Sequence, residues 1–145
     1  IQTTALTETL TFELDRAQYT VYPPERTSYP NNEDNEYSLI VGVTHGENRF
    51  LFAGDALTER LGEVTALGEG TYDFLKVSNH GDYFEGVEAF FRAVSPKYAA
   101  ITCSDKNPAD ARTVSALEAV GAQVFLTRDG SVKVTSDGRT ISVLQ

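Results

Sequence analysis

Residues 73–103 read DFLKVSNHGDYFEGVEAFFRAVSPKYAAITC, and this stretch decides the fold. Asp73 to Ser78 is a short apolar strand. Val87, Phe90, Phe91 and Val94 then recur at i, i+3, i+4 and i+7, the spacing of one face of an amphipathic helix. Pro96 stops that helix, and Lys97 to Cys103 is another buried strand. A strand, a helix and a strand in succession read as one crossover unit of a sheet.

Working outward, the same alternation continues. Downstream, Asn107-Pro108 opens a helix, with Asn as cap, Pro at the first helical position and Asp110 in the first turn. Ala111, Val114, Leu117 and Val120 face inward, and Gly121 ends it. Gln123–Thr127, Ser131–Thr135 and Thr140–Leu144 close the chain as a meander, with Asp129-Gly130 and Asp137-Gly138 as hairpin turns. Upstream, Leu57, Leu61 and Val64 sit at helical spacing. Arg49–Ala53 is a strand that returns from Tyr37–Thr44 through the tight turn His45-Gly46-Glu47-Asn48. Thr9–Asp15 alternates as a half-buried strand, and Gln18–Tyr22 is stopped by Pro23-Pro24. Glu25–Glu36 (ERTSYPNNEDNE) is a long surface loop. The fold class is therefore α/β (α+β): strands first, then alternating helices and strands, on one mixed sheet in a single unit spanning 1–145.

With 145 residues the chain is long enough to bury a core. Twelve Lys+Arg against 21 Asp+Glu leave a net charge of −9, which disfavours a basic groove for a phosphate backbone. No apolar run approaches the roughly 18 residues of a membrane span. The one cysteine, Cys103, excludes an internal disulfide and any multi-cysteine zinc site and reads as a buried small residue at a strand end. The chain starts at Ile1, has no Met and shows no signal peptide, which points to a processed or trimmed chain or a fragment.

Two segments carry candidate chemistry. Phe50-Leu51-Phe52-Ala53-Gly54-Asp55 delivers a carboxylate at a strand end, just after a glycine that lets backbone or ligand come close. Asp55 reads either as the cap of a helix starting near Ala56 or as a site residue. Lys76-Val77-Ser78-Asn79-His80-Gly81-Asp82 ends the next strand in a histidine. His80 reads as a loop hydrogen-bonder, or as a metal ligand or proton carrier. Adjacent strands lie about 5 Å apart, so the two tips reach one point.

These segments, in this order, resemble the C-terminal half of a metallo-β-lactamase-fold hydrolase, in the competence-protein (ComEC-like) branch. That branch carries patterns close to "NxxSLVL…LFTGD…E", "DVLKVxHHGS", "VSPKYAVIS" and "GAxVYxTxxxGxI". Here the chain reads Asn35 to Val41 (NEYSLIV), Leu51 to Asp55 (LFAGD) with Glu59, and Asp73 to Asp82 (DFLKVSNHGD). It continues with Val94 to Thr102 (VSPKYAAIT), Gly121 to Thr127 (GAQVFLT) and Asp129 to Val132 (DGSV). The resemblance runs from about residue 9 to the end. It implies one half of an αββα sandwich and a hydrolytic site with two divalent metal ions, zinc or manganese, in the full-length protein. Asp55 would take the place of the metal-bridging carboxylate and His80 that of a histidine ligand. Glu59, one helical turn from Asp55, would orient the site. A phosphodiester or nucleic-acid substrate and an extracytoplasmic or secreted setting are likewise implied by the branch alone.

The chain departs from the pattern in three places. Asn79 stands where the branch has a second His, and Asn107 where it often has the His of "HP". The main metal motif, H-x-H-x-D-H, belongs to the N-terminal half, and the only histidines here are His45 and His80. Neither metal finds three ligands in this chain, so it is expected to be inactive alone and to hold no stoichiometric metal. The alternative is a degenerate, metal-free relative acting as a binding or structural module. Half a sandwich leaves an apolar sheet face bare, to be covered by the missing N-terminal half or by a second copy in a homodimer. Two further readings concern the loop: calcium binding by Glu33-Asp34-Asn35-Glu36, against a solvated loop, and a stacking patch of Tyr19, Tyr22 and Tyr29, against cross-strand packing.

Overall fold

Seven strands form one sheet whose spatial order is the order of the chain: β1 (Leu10–Leu14), β2 (Ala17–Tyr22), β3 (Ile40–His45), β4 (Asn48–Phe52), β5 (Phe74–Lys76), β6 (Tyr98–Ile101) and β7 (Gln123–Leu126). The computed structural model describes residues 5–30 and 33–145; Asn31 and Asn32 of the expected loop lie outside the described residues. β1 to β4 are antiparallel neighbours, whereas β4, β5, β6 and β7 run parallel. The three parallel steps are crossovers through α1 (Thr58–Ala66), α2 (Val87–Val94) and α3 (Ala111–Ala119). The chain is thus a mixed α/β fold built on a seven-stranded sheet, with a separate two-stranded one. Among the described residues, no helix is long and apolar enough to cross a membrane.

The helices stand side by side on one face. Val87, Phe90, Phe91 and Val94 of α2 are all buried, as their spacing requires. They meet Leu51, Leu75, Ala99 and Ile101 of the parallel strands, together with Leu61 and Leu117 of the flanking helices. Each large apolar side chain sealed there contributes roughly 1.5–3 kcal/mol. The opposite face alternates out of register with this core. Phe12 pairs with Tyr19, Tyr19 with Val43, Val43 with Phe50 and Phe50 with Phe74, so one apolar band crosses five strands. Only part of the band is covered. A two-stranded hairpin, β8 (Lys133–Ser136) and β9 (Ile141–Leu144), stands over it, and Val132 and Val134 line a cleft there with Val43, Phe50 and Phe74. Leu10, Phe12, Leu14 and Phe52 remain 40–56% exposed.

Several expectations need correction. β1, the edge strand of the sheet, is exposed along its whole length rather than half-buried. The closing strands are not a meander. β7 adds in parallel to β6, a short turn at Thr127–Asp129 follows, and only Asp137-Gly138 closes a hairpin. Asn107 does not cap α3. Asp110 does, its carboxylate accepting the Arg112 N–H, and its own N–H is fixed at 3.0 Å by the Gly81 carbonyl. Asp55 does not cap α1, which begins three residues later. Cys103 lies just past β6, only partly buried.

The loop before β3 is more built than a solvated segment. Asp34–Tyr37 forms a short 3-10 turn, so β3 starts at Ile40 rather than Tyr37. Glu36 is buried, and its carboxylate receives the N–H groups of Glu59 and Arg60 at the start of α1, so it is not a calcium ligand. Tyr22 and Tyr29 are buried and Tyr19 stacks on Phe12, which removes the stacking patch. Arg60 is 1% exposed and bridges the loop to the sheet, donating to Glu63 and to the carbonyls of Tyr22 and Ser38. Tyr29 donates to the other oxygen of Glu63, so this buried charge pair is hydrogen-bonded on both sides.

Candidate functional site

The C-terminal tips of β4, β5 and β6 converge. Beyond Phe52 the chain passes through buried Ala53 and through Gly54, in left-handed backbone (φ 58°), to Asp55. A side chain on Gly54 would come within 3.2 Å of the Leu39 carbonyl oxygen, so the residue before Asp55 has to be small. The Asp55 N–H donates to the Ser38 hydroxyl at 3.3 Å.

Beyond β5, Asn79, His80 and Gly81 are all left-handed (φ 41°, 53° and 82°). Asn tolerates this conformation, whereas His adopts it less readily. Gly81 is required: a Cβ there would lie 2.6 Å from Ile101 Cγ2. The turn folds the chain back, and the Asn79 N–H donates to the Gly54 carbonyl at 3.3 Å. His80 is thereby swung across to the tip of β4. Its Nε2 lies 3.6 Å from Asp55 Oδ1, and its Nδ1 lies 2.8 Å from the Thr102 carbonyl and 3.1 Å from the Thr102 hydroxyl. A carbonyl only accepts, so Nδ1 donates to it, and Nε2 is the ring nitrogen left facing Asp55.

Lys76 completes the group. It ends β5 on the bare face, in register with Phe52 and Ala100. Its ammonium donates to the Gly54 carbonyl at 2.8 Å and stands 3.6 Å from Asp55 Oδ1. Burial lowers its pKa below the usual lysine range, against the pull of the Asp55 carboxylate. Asp55 and His80 themselves are 42% and 47% exposed, open enough to meet a ligand.

The structure thus brings Asp55 and His80 together, and leaves the other named residues elsewhere. Glu59 does not orient Asp55, because its carboxylate pairs with Arg26 at 2.6 Å. His45 lies at the far end of the sheet, where Nδ1 meets the Ser136 hydroxyl at 3.0 Å and ties the hairpin to β3. The Asn79 side-chain carbonyl accepts from Asn35 Nδ2 at 3.3 Å. Asn107 closes a loop on Ser104. Lys76, Thr102 and Ser38 were given no role in the sequence, and Asn35 only a place in the calcium loop. Lys76 had a signal, being a lone charge inside an apolar strand.

Ligand atoms at about 2.0–2.2 Å from a tetrahedral ion are separated by roughly 3.3–3.6 Å. The observed 3.6 Å between Nε2 and Oδ1 matches such an edge and is too long for a hydrogen bond. Two donors fill only part of a shell, and among the described residues no group of three or more His, Cys, Asp or Glu side chains comes together. No protein-family model and no curated protein sequence matches this chain.

Proposed function

We propose that the chain is the C-terminal half of a metal-dependent hydrolase of the metallo-β-lactamase superfamily, in the competence-protein branch, and that Asp55 and His80 are the ligands it contributes. The observation that supports this most is the approach of Asp55 Oδ1 and His80 Nε2 to 3.6 Å, a metal-edge distance. The bare apolar band is the second support: in this reading it is the inner face of an αββα sandwich, covered by the N-terminal half.

In this reading the chain's own residues prepare the site. Thr102 fixes the His80 tautomer and ring direction through Nδ1. Ser38, Gly54 and Lys76 hold the Asp55 tip. The metal ions, when bound, would supply a hydroxide nucleophile at neutral pH. The remaining ligands would come from the H-x-H-x-D-H motif of the other half. The substrate class, a phosphodiester or nucleic acid, rests on the family resemblance. With a net charge of −9, metal cations rather than side chains would have to meet the phosphate.

A second reading is favoured by one observation: Asn79, in place of a histidine, has its side chain tied to Asn35. This fits a metal-free binding or structural module. Elemental analysis separates the two. The gene product including any sequence upstream of Ile1 is expected to carry H-x-H-x-D-H and stoichiometric metal, with the metal lost in Asp55→Ala and His80→Ala. Equal metal in parent and variants removes the two residues from the site, and absence of the motif selects the metal-free module. The 145-residue chain alone is expected to hold no equimolar metal and to show no hydrolase turnover.

A further inference from the structure

Lys76 is a charged side chain on the bare face, between Phe52 and Ala100 in register and two residues after Phe74. A charge placed on an apolar surface needs partners, and here both are at the β4 tip. The Gly54 carbonyl takes a direct hydrogen bond at 2.8 Å, and Asp55 Oδ1 stands 3.6 Å away. That same oxygen faces His80 Nε2, also at 3.6 Å. Asp55 Oδ1 therefore has the Lys76 ammonium and the His80 Nε2 atom as neighbours at the same distance. The hydrogen bond to the backbone matters, because it pins the ammonium where a free lysine would swing into water.

We infer that Lys76 is a positioning residue that acts as a stand-in cation for Asp55, holding the β4 tip in place and opposing the entry of a divalent ion until further ligands are supplied. This rests on the reading of Asp55 and His80 as metal ligands. Three consequences follow from charge alone. The carboxylate is neutralised and oriented without a metal. A divalent ion at the pair meets a like charge pinned beside its own ligand oxygen. The isolated chain therefore discriminates against adventitious cations, although two donors face outward. Like charges at this range in water oppose each other by the equivalent of roughly a tenfold change in affinity.

The test is calorimetric titration of the 145-residue chain with Zn2+ alone, with Mn2+ broadening of the His80 ring protons to locate the site. Lys76→Met keeps the stem and removes the charge, and Lys76→Arg keeps the charge. Lys76→Gln serves as a second neutral variant should Lys76→Met fail to fold. The neutral variants are expected to bind about tenfold more tightly than the parent, and Lys76→Arg within about twofold of it. Asp55→Asn in either background is expected to abolish the binding. A neutral variant that binds no more tightly than the parent overturns the role of Lys76. If Asp55→Asn still weakens binding in that case, the ligand reading stands and only the lysine inference falls. If Asp55→Asn binds as the parent does, both fall together.

Discussion

Glu36 caps the helix to which Arg60 belongs, from 24 residues earlier in the chain: its carboxylate accepts the Arg60 N–H at 2.8 Å and the Glu59 N–H at 3.1 Å. Leu57, at the N-cap position of α1, offers no side-chain acceptor, so the buried carboxylate replaces a local cap and its negative charge suits the helix N-terminus. Glu36→Ala is expected to lower stability by about 1–2 kcal/mol in urea unfolding. Glu36→Gln, which keeps one acceptor, should fall in between. Asn35 and Ser38 flank Glu36 and touch Asn79 and Asp55, so amide shifts at both tips should move with the loss.

The left-handed turn that aims His80 depends on Gly81. Gly81→Ala puts a methyl against Ile101 and forces a non-glycine residue to φ 82°, which costs about 1–3 kcal/mol in strain alone. The expected outcome is a lower unfolding midpoint with loss of the His80–Thr102 contact, read from the ring resonances of His80. Unchanged ring shifts would show that the turn does not hold the histidine.

At the opposite end of the parallel strands, Asp73 accepts the Arg49 N–H at 2.8 Å and the Lys97 ammonium at 2.6 Å. Burial pushes its carboxyl upward, but these donors outweigh it and hold the pKa below the usual aspartate range. A depressed folded-state pKa means the stabilisation is complete above the unfolded value near ~3.9 and is lost as pH falls through the folded one. Asp73→Asn should cost about 1–2 kcal/mol at neutral pH and flatten the acid limb of the stability curve. An acid limb identical to the parent's would remove Asp73 from the linkage.

Three tyrosines face acidic partners in dry surroundings. Burial, followed by Glu63, pushes Tyr29 up to about 12, and burial, followed by Glu69, takes Tyr72 to about 12. Burial and the Glu69 hydrogen bond raise Tyr22 as well. For these phenols the folded state holds the proton longer, so their stabilisation is present below about pH 10 and lost as pH climbs toward the folded values. An absorbance titration should leave at least Tyr22, Tyr29 and Tyr72 of the seven tyrosines largely un-ionised at pH 11 until the chain unfolds.

How much of this was legible follows from the range of each interaction. The apolar spacing of Val87, Phe90, Phe91 and Val94 is a local pattern, and α2 forms where it says. The nearness of Asp55 and His80 follows from two strand ends in one sheet, and they lie 3.6 Å apart. Their angle of approach was not legible, because only Gly81 among residues 79–81 demands left-handed backbone. The Glu36 cap was invisible for a different reason: the local signals place Asp55 or Ala56 at the helix start, while the acceptor comes from another loop. Asn107-Pro108 misled because a good local start was available, but the Gly81 carbonyl already holds Asp110 N–H and begins α3 there.

The sheet order never doubles back from β1 to β7. Right-handed crossovers repeated in one direction must stack their helices on a single side. Such an arrangement has no reversal point, and so no crevice between diverging loops of the kind that houses nucleotides in doubly wound sheets. Whatever meets Asp55 and His80 therefore reaches them from an open rim.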